Sequence, residues 1–334
     1  MIVAGFDEAG YGPKLGPLTV GFTAFEVTPP HAPGAKVKAE PELSPLGDAP
    51  CLWKKLGSSV RRERAGDPNR VWVADSKEIK PQKDGVRQLE LGVLAFLASA
   101  GLHPRTLGDL VATLGQTDFA WGGLPWYGAL QEAGVPGQAW AGEVATRAAR
   151  LTEAGKTGGV RFVCAGARVV DEERFNARIE ATQNKAAVLG ELFIDLVKQL
   201  RNGTEGPLDV VVDRHGGRAT YTRMLGKAFP RTAIEIDLEE AEVSRYRVKH
   251  KRGLIRLTFK VEAETTSLPT ALASMTCKYL RERFMDGLNA WFQGHMPGLK
   301  GTAGYAQDAT RFLAEVEPLL PGLGVARDVL VRAR

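Results

Sequence analysis

Gly5-Phe6-Asp7-Glu8-Ala9-Gly10-Tyr11-Gly12-Pro13-Lys14-Leu15-Gly16-Pro17 carries two adjacent carboxylates out of an apolar run and straight into a loop of glycines and prolines. Ile2 to Phe6 before it and Leu18 to Val27 after it read as strands, an antiparallel pair joined by that loop. Carboxylates bind hard cations such as Mg²⁺. Glycines let a backbone approach a ligand closely, with positive φ allowed. Together they predict a metal site beside a surface that touches phosphates or sugars.

Working outward, residues 28–50 are rich in Pro, Ala and Gly and read as a linker, part of an insertion over about 28–70. Val71-Trp72-Val73-Ala74 reads as a short strand ending at Asp75-Ser76-Lys77. Residues 81–97 carry Val86, Leu89, Val93 and Phe96 at helical spacing. A second insertion, about 98–158, holds Trp121, Trp126, Tyr127 and Trp140 among glycines and alanines. It reads as short helices in a small self-packing subdomain, with a substrate-gripping lid as the other reading. Val160 to Val170 reads as a strand. Phe175, Ile179, Thr182, Ala186, Leu189, Phe193, Leu196 and Leu200 then predict one long helix with a single buried stripe, stopped at Asn202-Gly203.

Leu208 to Val212 is a compact apolar run that delivers Asp213 at its tip, a common way for open α/β sheets to build sites. Val243 to Glu264 reads as a hairpin around Lys251-Arg252-Gly253. Alternation puts Arg245, Arg247 and Lys249 on one face of it. On the return, Arg256, Thr258, Lys260, Glu262 and Glu264 share a face. A helix is expected at about 271–292, with two short ones after 306. The division expected is a main α/β unit over 1–284 and a helical C-terminal region over 285–334.

Composition bounds the function. The 334 residues are 44% apolar and 25% charged, as in ordinary soluble globular proteins. No stretch approaches the roughly 18 apolar residues of a membrane helix, and the acidic residues at once after the first apolar run do not suit a signal peptide. Cys51, Cys164 and Cys277 are scattered, which predicts reduced thiols in a cytoplasm and offers no zinc site. A net charge of +5 permits a polyanionic partner. No G-x-x-x-x-G-K-[ST] run supports a phosphate-transfer ATPase.

These segments resemble, in order, those of the type 2 ribonucleases H (ribonucleases HII and HIII). The opening stretch is similar to the family's first motif, and Asp75-Ser76-Lys77 to its Asp-Ser-Lys segment. Ala181-Thr182-Gln183-Asn184-Lys185-Ala186 resembles its long helix, and Val210-Val211-Val212-Asp213 its third carboxylate strand. Glu264-Thr265-Thr266-Ser267-Leu268 resembles its fourth carboxylate segment, and Gly304-Tyr305 its Gly-Tyr element. The resemblance implies a ribonuclease H-like mixed sheet flanked by helices and an endonuclease that cuts the RNA strand of RNA–DNA hybrids, leaving 5′-phosphate and 3′-hydroxyl ends. It implies that Asp7, Glu8, Asp213 and Glu264 hold two Mg²⁺ or Mn²⁺ ions. It further implies that Gly10, Tyr11 and Gly12 meet the ribose 2′-hydroxyl, with Lys77, Lys185 and Tyr305 as further nucleic-acid contacts. No protein partner is assigned, and a monomer is the expectation.

The residues leave alternatives open. Asp7 and Glu8 could be solvated acids at a strand end, Asp213 a turn residue and Glu264 an exposed hairpin acid with Glu262 as runner-up. Lys77 and Lys185 could be surface charges, and Tyr305 could cap a small core. Tyr11 stands where ribonuclease HII usually has arginine; ribonuclease HIII lacks that arginine too, and Asn184-Lys185-Ala186 is closer to HIII. Met1 begins almost at the first strand, so HIII's extra N-terminal binding domain is not expected. The other functional reading is a hybrid- or RNA-binding module with the same fold and decayed chemistry.

Overall fold

The computed structural model describes residues 1–28 and 50–333. Most of the linker expected at 28–50 lies outside the described residues. Strands are β1 (Ile2–Ala9), β2 (Leu18–Val27), β3 (Val60–Arg61), β4 (Val71–Trp72), β5 (Val160–Val170), β6 (Leu208–Asp213), β7 (Ile234–Glu239), β8 (Val243–His250) and β9 (Gly253–Lys260). Helices are α1 (Leu52–Lys55), α2 (Ser76–Ile79), α3 (Gly85–Ser99), α4 (Leu107–Thr113), α5 (Ala141–Gly158), α6 (Glu172–Thr182), α7 (Lys185–Asn202), α8 (Thr222–Ala228), α9 (Leu268–His295), α10 (Ala306–Val316) and α11 (Arg327–Leu330).

Seven strands form one mixed sheet in the order β5-β2-β1-β6-β9-β8-β7, and β3 and β4 pair separately. The two ends of the large sheet are antiparallel, while β1, β6 and β9 run parallel at its centre. Parallel strands are buried on both faces. Alternation along β1 accordingly sends Ile2, Ala4 and Phe6 into one core with α7 and α8, and Val3 into the other core with α3 and α9. The Cβ that Gly5 lacks would stand 2.0 Å from the backbone nitrogen of Thr270, so α9 crosses β1 at a distance only glycine permits.

The stripe expected on one long helix belongs to two. Gln183 adopts φ 50, and Asn184 caps α7 by accepting hydrogen bonds from Ala186 N–H and Ala187 N–H at 2.8 and 3.3 Å. Both helices bury their apolar sides in the same core, so the periodicity runs on across the break. The helix does stop at Asn202 with Gly203 as its cap.

Residues 98–158 are not a self-packing unit. Their helices include α5, eighteen residues long. Phe119 and Tyr127 lie 5.2 and 4.9 Å from Phe284 of α9, and Trp126 lies 6.0 Å from Phe292. The aromatics thus complete the main core beside α9. Glu90, fully buried, ties the segment down by accepting from Gly137 N–H and Gln138 N–H at 2.7 Å each and from Tyr279 Oη at 2.5 Å. Helix α9 also runs unbroken through position 284, where the sequence suggested a boundary.

β7 was not expected. It pairs antiparallel with β8, and its acids take up the hairpin's bases: Asp237 accepts from Arg247 at 2.7 Å and Glu235 pairs with Lys249 at 2.7 Å. Arg256 is buried against Asp209. The hairpin therefore does not offer these residues as an open basic stripe.

Candidate metal centre

β1 and β6 are parallel neighbours whose pairing ends in register at Phe6 and Val212, so Asp7, still paired with Gly21 of β2, and Asp213 stand side by side where the two strands part. Glu8 follows at once. One carboxylate oxygen from each of Asp7, Glu8 and Asp213 lies within 4.8 Å of the others, although more than two hundred residues separate the first from the last. Asp7 is oriented by its surroundings. Its Oδ1 accepts from Glu8 N–H at 2.7 Å. Cys277 Sγ donates to its carbonyl at 3.4 Å. Asp213 Oδ1 accepts from Ala263 N–H at 3.2 Å.

Glu264 reaches this group by a route the hairpin pattern did not show. β9 ends at Lys260, and Glu262 turns the chain at φ 50 into a short 3₁₀ turn, Ala263–Thr265. That turn buries Glu264, which is 2% exposed, beside Asp213, while Glu262 stays in solvent. The two glutamates do not share a strand face as alternation suggested, because the strand has already ended. Glu264 Oε2 is buried with no hydrogen-bond donor among the described residues.

The cluster is electrostatically loaded. Burial, then the charges of Glu8 and Asp213, holds Asp7 well above the carboxylate range. Burial followed by Asp213 pushes Glu8 and Glu264 each up to about 7. Burial also raises Asp213, against the hydrogen bond from Ala263. Like charges gathered in a low-dielectric pocket cannot all ionise without a counter-ion. Among the described residues Lys77 is the cation paired with this group, 3.5 Å from Glu264 and 3.7 Å from Asp75, with its side chain 78% exposed. Burial of part of the chain opposes its charge, but Asp75 and Glu264 outweigh that and hold its pKa above the ordinary value. Four acids against one exposed ammonium, with an orphaned buried carboxylate oxygen, are a donor set that fits hard divalent cations.

The other expected residues surround this cluster. Gly10 has φ 88 and its missing Cβ would fall 2.5 Å from Pro17 O, so the loop closes only on glycine there. Gly12 is exposed with open space beyond it. Tyr11 is partly buried, its ring 5.9 Å from Lys185 Nζ. Tyr305 is 47% exposed and caps no core; Lys278 and Arg281 flank its ring at 5.9 and 5.4 Å. Its neighbour Gly304 accepts from Lys14 N–H at 2.9 Å, which joins the Gly-Tyr element to the glycine loop. Three residues of this neighbourhood that the sequence did not place at the site are Glu172, Arg281 and Arg332, all buried beneath the loop.

The segments that carry the sequence resemblance thus converge where β1 and β6 part, in a sheet whose central strands are parallel and whose flanks are antiparallel. The architecture is the mixed sheet flanked by helices that the resemblance implied. No protein-family model matches the chain, and no curated protein matches it. Among solved structures it is similar to the ribonuclease HII of Archaeoglobus fulgidus in a complex with PCNA, at 16% identity over 100% of this chain and 95% of that one, TM-score 0.41. It is similar to the ribonuclease H2 of Pyrococcus horikoshii at 14% identity over 99% and 92% of the two chains, TM-score 0.42. A ribonuclease HIII, Bst-RNase HIII in complex with Mn²⁺, aligns at 14% identity over 94% of this chain and 62% of that one, TM-score 0.41. Among the described residues no helix is long and apolar enough to cross a membrane, and all three cysteines are free.

Proposed function

We propose that this chain is a divergent type 2 ribonuclease H that hydrolyses the RNA strand of RNA–DNA hybrids. The observation that carries the reading is the convergence of Asp7, Glu8 and Asp213 to within 4.8 Å where two strands part, with Glu264 buried beside them. These four would hold two Mg²⁺ or Mn²⁺ ions. Bound there, such ions supply an activated water and stabilise the leaving 3′ oxygen in an in-line displacement. Asp213 and Glu264, fixed by the Ala263–Thr265 turn, keep the pocket's geometry. The Glu8 N–H orients Asp7. Lys77 stands where it meets an incoming phosphate once its two carboxylates have another counter-charge. The Gly10-Tyr11-Gly12 loop, with Lys185 against Tyr11, meets the RNA strand at its 2′-hydroxyls.

The test is a labelled RNA–DNA hybrid incubated with Mg²⁺ or Mn²⁺ and with chelator, for the parent and for Asp7→Asn and Asp213→Asn. Metal-dependent cutting lost in both variants is expected. Tight hybrid binding with no cutting by the parent would replace the hydrolase with a binding module.

A further inference from the structure

The loop from Gly10 to Pro17 is held from below by a residue of the C-terminal tail. Arg332 is 2% exposed, and its guanidinium lies 3.9 Å from the centre of the Phe175 ring. Its Nη1 donates to Gly10 O and reaches Gly16 O at 3.5 Å, and its Nη2 reaches Tyr11 O at 3.5 Å. Its backbone N–H donates to Lys14 O at 2.9 Å. Buried Glu172 faces this charge and also accepts from Gly16 N–H at 3.0 Å. The tail itself is pinned by Asn176, which accepts from Ala333 N–H at 2.7 Å and donates to Val331 O at 2.8 Å.

In a trans peptide the N–H points opposite to the C=O of the same plane. Drawing Gly10 O and Tyr11 O down onto one guanidinium therefore aims the N–H groups of Tyr11 and Gly12 outward. Neither N–H donates to any described residue, and the space over Gly12 is open. Successive outward N–H groups form a concavity that receives an anionic or hydroxyl oxygen. A planar five-donor fork is suited to gathering several carbonyls at once; a lysine is not.

We propose that Arg332 is a positioning residue, whose guanidinium sets the Tyr11 and Gly12 N–H groups to donate to the sugar-phosphate backbone of the bound strand. The ligand named here rests on the hydrolase reading; the ordering of the loop does not. Arg332→Ala and Arg332→Lys are compared with the parent and with Arg327→Ala, a tail arginine that pairs instead with Glu317 at 2.9 Å. Hydrogen exchange of the segment 10–17 is measured without substrate, and KM and kcat on an RNA–DNA hybrid are measured with Mg²⁺.

In Arg332→Ala the segment should exchange about tenfold faster or more, and KM should rise about tenfold, as for loss of hydrogen bonds to a charged group. Its kcat should stay within about threefold, since the carboxylates are untouched. Arg332→Lys should fall between, and Arg327→Ala should match the parent. Unchanged exchange at 10–17 in both Arg332 variants, or a fall in kcat with KM unmoved, overturns the proposal. Should the alanine variant loosen throughout, the lysine variant decides on the same criteria. A parent that cuts no hybrid ends the hydrolase reading, while the exchange comparison still decides what Arg332 does.

Discussion

Withdrawing divalent ions should make the stability of this protein fall as pH rises, and Glu264 should account for part of the fall beside Asp7, Glu8 and Asp213, which shift in the same direction. Without metal its carboxyl is raised from 4.5 to about 7, by burial and then by Asp213. A carboxyl raised in the folded state contributes stability that is fully present below the unfolded pKa and lost as pH climbs through the folded one. The window is therefore about pH 4.5 to 7. At about 1.4 kcal/mol per unit, the loss at this one residue reaches up to about 3 kcal/mol. Glu8 has the same direction but is partly exposed, so solvent screening reduces its share. Glu264→Gln cannot ionise and should flatten the profile, gaining up to about 3 kcal/mol on the parent at pH 8 and little at pH 4. Mg²⁺ should remove the same penalty. An ion at a hundred times its Kd adds about 2.7 kcal/mol, or about 4 °C in Tm for a chain of this length at the usual unfolding entropy per residue. The assay is thermal unfolding followed by circular dichroism from pH 4 to pH 8, with chelator or with Mg²⁺, for the parent, Glu264→Gln and Asp213→Asn. Equal slopes with pH in the parent and Glu264→Gln would refute the electrostatic account. An undiminished Mg²⁺ shift in Asp213→Asn would refute the shared ion site.

Gly5→Ala should cost about 3 kcal/mol or more in urea unfolding, because its Cβ would stand 2.0 Å from the Thr270 nitrogen and α9 would have to back away; a change under about 0.5 kcal/mol would contradict that close approach. Phe284→Ala, at a fully buried ring met by Phe119 and Tyr127, should cost about 3–5 kcal/mol and speed hydrogen exchange over 119–127. Exchange there unchanged would mean that the insertion holds itself together. With tyrosine at position 11, long RNA–DNA hybrids should be cut better than a duplex with one embedded ribonucleotide; equal or better cleavage of the latter would overturn this.

Local features were legible where neighbours in sequence are neighbours in space. Asp7-Glu8 at a strand end, Asp213 at the tip of an apolar run and the stop at Asn202-Gly203 need only periodicity and turn chemistry to be seen. The alternation of Ile234, Ile236 and Leu238 with Glu235, Asp237 and Glu239 carried a strand signal too, and it marks β7. The break at Gln183 was hidden because α6 and α7 bury their apolar sides in one core, so no register change appears in the pattern.

By itself the sequence determined the mixed α/β character, the identity of the strands that end in acids and the order in which they come. Those depend on hydrophobic spacing and on backbone preferences of single residues, which act over a few positions. The tertiary structure alone decided that Glu264 and not Glu262 turns inward, that the aromatics of 98–158 pack on α9, and that Arg332 lies beneath a loop more than three hundred residues away. Burial, close approach and the repulsion of gathered charges arise only when distant segments share a volume, and nothing in local spacing encodes which segments those are.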